Sequence, residues 1–116
     1  MRLLFLALAL AACAASLSGC ATQVELREAG PVAQKVVSLS LVEARDCVAD
    51  HWQGGLYGKS ITPYRDGYRI RNSGGHIFEF VEVQPSPEGT VISAYNNLGR
   101  LSGLSGAAFK KCAASD

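Results

Sequence analysis

Two cysteines and the two histidines are the residues that could build a metal site in this chain. Cys47 and His51 are four residues apart, so in a helix they lie on the same face. With His76 and Cys112 they could supply a zinc site of two cysteine and two histidine ligands. The alternative is a disulfide between Cys47 and Cys112, and the lack of a Cys-x-x-Cys pair favours it. We therefore predict no metal ligand set and no cofactor.

The acidic residues, histidines and serines do not form a recognisable catalytic motif. Asp50 and His51 could belong to a Ser–His–Asp set, but no nucleophile elbow is present, and an Asp-His pair is typical of a helix surface. Glu79 and Glu82 are three residues apart, so on a strand they point to opposite faces and cannot form a carboxylate dyad. We expect one of them to lie at a sheet edge or to pair with an arginine. The sequence thus predicts no enzymatic activity.

Arg65, Arg69 and Arg71 are the only local cluster of basic residues. Arg69 and Arg71 share one face of a strand. The cluster could bind an anion, such as a lipid phosphate, a glycan carboxylate or an acidic partner. Alternatively, it is an ordinary solvated strand face that protects a sheet edge. After Arg2 the chain has ten basic and ten acidic side chains, so nothing indicates nucleic-acid binding.

The first nineteen residues have the three parts of a secretory signal. Met1-Arg2 is basic, residues 3–17 are almost entirely apolar, and Ser18-Gly19 are small. The alternative, a transmembrane helix, needs about 20 apolar residues, and this segment is shorter. We expect residues 1–19 to be removed as a signal peptide.

The end of this segment, Leu17-Ser18-Gly19-Cys20, resembles the lipobox of bacterial lipoproteins. That resemblance implies cleavage before Cys20, a diacylglycerol on its sulfur and an acyl chain on its amine. It therefore predicts a lipid anchor in the membrane of the cell envelope. Ala21 follows the cysteine where an Asp would favour the inner membrane, so we expect the outer membrane, with the protein facing the periplasm.

The expected location in the cell envelope also predicts a disulfide. Cys13 lies in the signal core and Cys20 would be lipidated, which leaves Cys47 and Cys112. Paired cysteines usually close in an oxidising compartment. We predict a Cys47–Cys112 disulfide that ties the first helix of the domain to the last.

The elements predicted for the mature chain give an α+β domain. Residues 20–35 are polar with a Gly-Pro break, which predicts a flexible tether, the alternative being a short helix over Val24–Ala29. Ser40 and Glu43 have the spacing of a capping box, and the apolar periodicity that follows predicts a helix over residues 40–53.

The remainder of the chain predicts strands and a second helix. Alternation and β-branched residues indicate strands around residues 68–71, 76–84 and 90–95, followed by a helix over residues 101–114. A further strand at residues 60–64 would be confined to an edge by Pro63. The predicted fold for residues 36–116 is a helix, a three-stranded antiparallel meander and a helix, with both helices on one sheet face and one disulfide.

These observations predict a lipid-anchored envelope protein whose domain is a non-catalytic binding or structural module. Its partners would be the membrane, reached through the anchor, and an envelope protein or cell-wall component. The alternatives are an inhibitor or immunity-type protein that acts against an envelope enzyme, and an enzyme or metal-binding protein.

Overall fold

The computed structural model describes residues 22–52, 58–72 and 79–114. The lipobox and His76 lie outside these residues. The elements, in chain order, are α1 (Thr22–Ala29), β1 (Ala33–Val37), α2 (Leu41–His51), β2 (Lys59–Tyr64), β3 (Gly67–Asn72), β4 (Glu79–Ser86), β5 (Gly89–Asn96) and α3 (Gly103–Ala113).

The strands form one antiparallel sheet of five in the order β1-β5-β4-β3-β2. The predicted three-stranded meander is therefore wrong. Strands β2 to β5 make a meander of four, and β1 pairs with the outer edge of β5. β2 occupies the opposite edge, which suits Pro63 because proline has no N–H to donate to a further strand.

Strand β1 was not predicted because its residues show little of the hydrophobic pattern that is typical of a strand. Gln34 and Lys35 are exposed, and only Val37 is fully buried. The strand is held by its pairing with β5, in which Ala33 faces Ala94 and Val37 faces Thr90. This edge strand therefore depends on its pairing with β5, which lies far along the chain, and not on local hydrophobicity.

Helices α2 and α3 pack on one face of the sheet, as predicted. Ser40 caps α2 by accepting a hydrogen bond from the Glu43 N–H at 3.1 Å. Ala44 and Val48 of α2 and Ala108 of α3 share the main core with the strand residues. The predicted disulfide is confirmed: Cys47 and Cys112 are bonded, with their Cα atoms 5.9 Å apart.

Helix α1 packs on the opposite face of the sheet. Leu26 is buried against Phe80 and Tyr95, which point away from α2 and α3 because side chains alternate along a strand. The flexible tether expected over residues 20–35 does not exist from residue 22 onward, since α1 and most of β1 occupy that stretch. The short helix weighed as its alternative is the structure observed.

Candidate functional site

A buried carboxylate organises the sheet face that α1 covers. Glu82 of β4 is 2% exposed and lies beside Arg69, its partner in the antiparallel register of β3 and β4. Arg69 Nη2 donates to Glu82 Oε1 at 2.7 Å, and Arg27 Nε of α1 donates to the same oxygen at 3.1 Å. Because a buried charge is costly unless it is paired, these two guanidinium groups offset the cost of burying Glu82.

Aromatic rings surround this ionic cluster. Phe80 and Tyr95 stack with centroids 4.7 Å apart. The Arg69 guanidinium lies 4.4 Å from the Phe80 ring centroid and 3.9 Å from that of Tyr64, a favourable cation–π arrangement. Burial, and secondarily the Glu82 carboxylate, raise the pKa of the Tyr95 hydroxyl above its ordinary value.

A groove of about 350 Å³ opens above these groups, between α1 and the β2–β3 hairpin. Helix α1 contributes Gln23, Arg27 and Glu28, and the hairpin contributes Tyr64, Arg65 and Arg69. We call this the Tyr64 groove. Gln23 accepts a hydrogen bond from Arg69 Nη1 at 2.9 Å, so every donor nitrogen of Arg69 is engaged.

Two guanidinium groups of the Tyr64 groove keep free donors. Arg27 is held through Nε, and its two terminal nitrogens donate to no group in residues 22–52, 58–72 or 79–114. Burial acts to lower the pKa of Arg27, but the Glu82 carboxylate outweighs it and the pKa is raised. Arg65 is exposed, and its guanidinium lies 5.6 Å from the Tyr64 ring centroid without a hydrogen bond to a described residue.

Arg65 also has a strained backbone. It occupies the first position of the two-residue turn between Tyr64 and Gly67, with φ of +53°. No other non-glycine residue in the described ranges has a positive φ. An L-residue costs about 1–2 kcal/mol in this conformation, which glycine adopts freely. The turn thus carries a cationic side chain at a position where glycine would be the unstrained choice.

The predicted arginine cluster is only partly brought together. Arg65 and Arg69 meet at Tyr64, whereas Arg71 does not line the groove and its Nη1 lies 3.4 Å from the Asn72 carbonyl oxygen. Arg69 is 11% exposed and paired, so it does not form the solvated strand face that was weighed as an alternative.

Sequence reasoning expected Glu79 or Glu82 to lie at a sheet edge or pair with an arginine, but it did not identify which residues surround the cluster. Arg27 and Gln23 lay in the expected tether. Tyr64 and Glu82 become neighbours of Arg69 only through the strand register. One available signal was Glu82 itself, an acidic residue between Val81 and Val83 in an apolar strand.

The two acidic residues of β4 behave as predicted. Glu79 and Glu82 point to opposite sheet faces. Glu82 pairs with arginines, and Glu79 Oε1 accepts a hydrogen bond from the Ser105 N–H at 2.8 Å, in the first turn of α3. Neither carboxylate is placed to act on the other.

The cysteines and one histidine of the predicted zinc alternative do come together. The ligand atoms of Cys47, His51 and Cys112 lie within 4.8 Å of one another. Because both sulfurs are joined in the disulfide, neither is a thiolate that could bind zinc. The His51 Nδ1 atom lies 2.9 Å from the Cys47 carbonyl oxygen, a contact that fixes the ring along α2.

Comparison with known proteins gives no relative from which an activity could be transferred. No family model, curated protein or solved structure matches the chain. Within the part of the chain that the structure describes, no helix combines the length and apolarity needed to cross a bilayer.

Proposed function

We propose that the protein is a lipid-anchored lipoprotein of the cell envelope, and that its domain is a non-catalytic binding module held close to the membrane. The observation that carries the proposal is the position of α1. The helix begins at Thr22, two residues after the lipobox cysteine Cys20, and its side chains form one wall of the Tyr64 groove. The lipid anchor and the groove are therefore neighbours along the chain.

The contacts of the polar residues support a binding role over a catalytic one. Glu79 holds the start of α3, Glu82 neutralises Arg27 and Arg69, and His51 contacts the carbonyl oxygen of its own helix. Each of these groups stabilises the fold where it lies. Among the described residues that line the Tyr64 groove, Arg27 and Arg65 retain free guanidinium donors, which suit binding of an anion and not proton transfer.

The disulfide supports an envelope location. A Cys47–Cys112 bond is stable in an oxidising compartment and rare in the cytosol. Ala21 after the lipobox cysteine favours the outer membrane on its periplasmic side. The partners that we propose are the membrane and, beyond it, an envelope protein or cell-wall component.

Acylation of Cys20 tests this proposal. We expect the wild-type chain to label with radioactive palmitate and to fractionate with the outer membrane. The Cys20→Ser variant should lose both properties. Cys13→Ser is the matched control, because Cys13 lies in the signal core and should leave with it. Continued labelling of the Cys20→Ser protein would contradict the proposal.

A further inference from the structure

The Tyr64 groove has the donors of an anion site. Arg27 and Arg65 both line the groove, and their guanidinium groups lie 5.3 and 5.6 Å from the centroid of the Tyr64 ring. Arginine presents paired N–H groups that match the oxygens of a phosphate. Three guanidinium groups and the Glu28 carboxylate line the groove, and the buried Glu82 carboxylate pairs with Arg69 and Arg27 beneath it, which leaves a surplus of one positive charge. This balance suits a ligand with a single negative charge.

The covalent chain limits how far this groove can lie from the anchor. Two Cα–Cα steps of about 3.8 Å connect Cys20 to Thr22. Arg27 is five residues further along α1, or about 8 Å at 1.5 Å per residue. The Cα atom of Arg27 is therefore within about 15 Å of that of Cys20. A headgroup layer is about 5–8 Å thick, so an arginine side chain at this distance can reach it.

We infer that the Tyr64 groove binds the phosphate of an anionic phospholipid headgroup in the membrane that holds the Cys20 anchor. This inference rests on the proposed function, because the anchor is what brings the headgroups within reach. Arg27 and Arg65 hold the phosphate oxygens above the Tyr64 ring. Val24, which is 59% exposed and also lines the groove, contacts the less polar glycerol part of the lipid. The domain thereby lies against the bilayer with α1 on the membrane side.

A titration with soluble lipid tests the groove without using the anchor. The purified protein, in a neutral detergent, is titrated with dibutyryl phosphatidylglycerol, with dibutyryl phosphatidylcholine and with inorganic phosphate. The readout is the NMR signals of the arginine Nε–H groups. We expect phosphatidylglycerol to shift the Arg27 and Arg65 signals saturably, with weaker effects from the zwitterionic lipid and from phosphate.

Arg65→Gly is the informative variant because glycine suits the positive φ at this turn. A hydrogen bond from a guanidinium to a phosphate oxygen contributes about a tenfold change in affinity, so we expect phosphatidylglycerol affinity to fall about tenfold. Arg45→Gln is the matched control. Arg45 also lies over a tyrosine ring, 4.8 Å from the Tyr68 centroid, but on α2 at the other face of the sheet. Its removal should leave the affinity unchanged.

Each result separates the groove from the anchor. Equal affinity of the Arg65→Gly and wild-type proteins would overturn the inference, as would shifts caused by inorganic phosphate and not by the lipid. The mass of the same purified protein reports acylation independently. An acylated protein that does not bind phosphatidylglycerol would refute the groove and leave the proposed function standing. If the protein binds the lipid but is not acylated, the inference that the headgroup belongs to the membrane holding the Cys20 anchor would be overturned.

Discussion

The carboxylate of Glu82 and the guanidinium of Arg69 face each other across adjacent strands and lie 2.7 Å apart, with Glu82 only 2% exposed. Because β3 and β4 are directly paired at these residues, the register of the sheet places the ion pair. Arg27 joins the pair from α1, so the same carboxylate also holds the helix on the sheet. The pair thus links strand register to the packing of α1.

Removing either partner of this pair should destabilise the domain strongly. Glu82→Gln leaves both Arg69 and Arg27 without their counter-charge, whereas Arg69→Met leaves the buried Glu82 still paired with Arg27. Breaking a buried ion pair costs about 3–5 kcal/mol. We expect Glu82→Gln to lose about that much free energy of unfolding in urea, and Arg69→Met to lose less because Arg27 still pairs with Glu82. Glu88→Gln, in the exposed β4–β5 turn, should change the free energy of unfolding by less than about 0.5 kcal/mol.

The double variant Arg69→Met/Glu82→Leu should recover part of the loss. Replacing both residues by apolar groups removes the two buried charges and leaves Arg27, which is 27% exposed and can be solvated; such replacements are often close to neutral. A double variant that is as unstable as the sum of the two single variants would show that the residues act independently, contrary to the geometry.

Helix α1 should contribute to stability as an integral part of the domain. Leu26 is 9% exposed and packs on Phe80 and Tyr95. Leu26→Ala should cost about 2–3 kcal/mol, the low end for a buried leucine, because its cluster lies near the surface. Val24→Ala on the same helix is the control, since Val24 is 59% exposed. Equal stability of the two variants in urea unfolding would mean that α1 does not dock on the sheet in solution.

The sequence predicted the elements that have a local pattern. Ser40 and Glu43 marked the start of α2, and runs of β-branched and aromatic residues marked β4 and β5. A tether was favoured over helix α1 because this stretch is polar and ends in a Gly-Pro break, and an isolated helix of eight residues is marginal in water. Its stability comes from Leu26 and Arg27, whose partners are more than fifty residues away.

The candidate site likewise combines residues that the sequence pattern reveals with contacts that depend on the fold. The cluster of Arg65 and Arg69 is visible in the sequence, and the structure places both at the Tyr64 groove. The pairing of Arg69 with Glu82 depends on the β3–β4 register, and a shift by one residue would turn every side chain to the other face. A single sequence does not fix that register. The sequence therefore indicated that Glu79 or Glu82 could pair with an arginine, but not that Arg69 is the partner of Glu82.

The disulfide should supply a large part of the stability. It closes a loop with a sequence separation of 65 residues and joins α2 to α3. The chain-entropy relation gives about 4 kcal/mol for such a loop. Cys47→Ala/Cys112→Ala should therefore melt about 15–30 °C below the wild type. Adding zinc to the oxidised protein should leave its melting temperature unchanged. Two free thiols in protein purified from the envelope would contradict the disulfide and favour the zinc site.

We expect the positive φ of Arg65 to lower the free energy of unfolding relative to a turn with glycine at this position. Relief of the positive φ by glycine is worth about 1–2 kcal/mol, and the greater freedom of glycine in the unfolded chain offsets about 0.4–1 kcal/mol of it. Arg65→Ala removes the side chain and keeps the strain, so it is the proper reference. We expect the Arg65→Gly protein to be more stable than the Arg65→Ala protein by about 0.5–1 kcal/mol in urea unfolding.

Both variants lack the guanidinium, so both should bind dibutyryl phosphatidylglycerol equally weakly. The two variants would then differ in stability but not in lipid affinity. Both would bind the lipid more weakly than the wild type, because both lack the arginine. This outcome would mean that the strained arginine is kept at the turn for its charge. A glycine variant less stable than the alanine variant would show that Arg65 is unstrained, and would remove the backbone argument for a functional role of this turn.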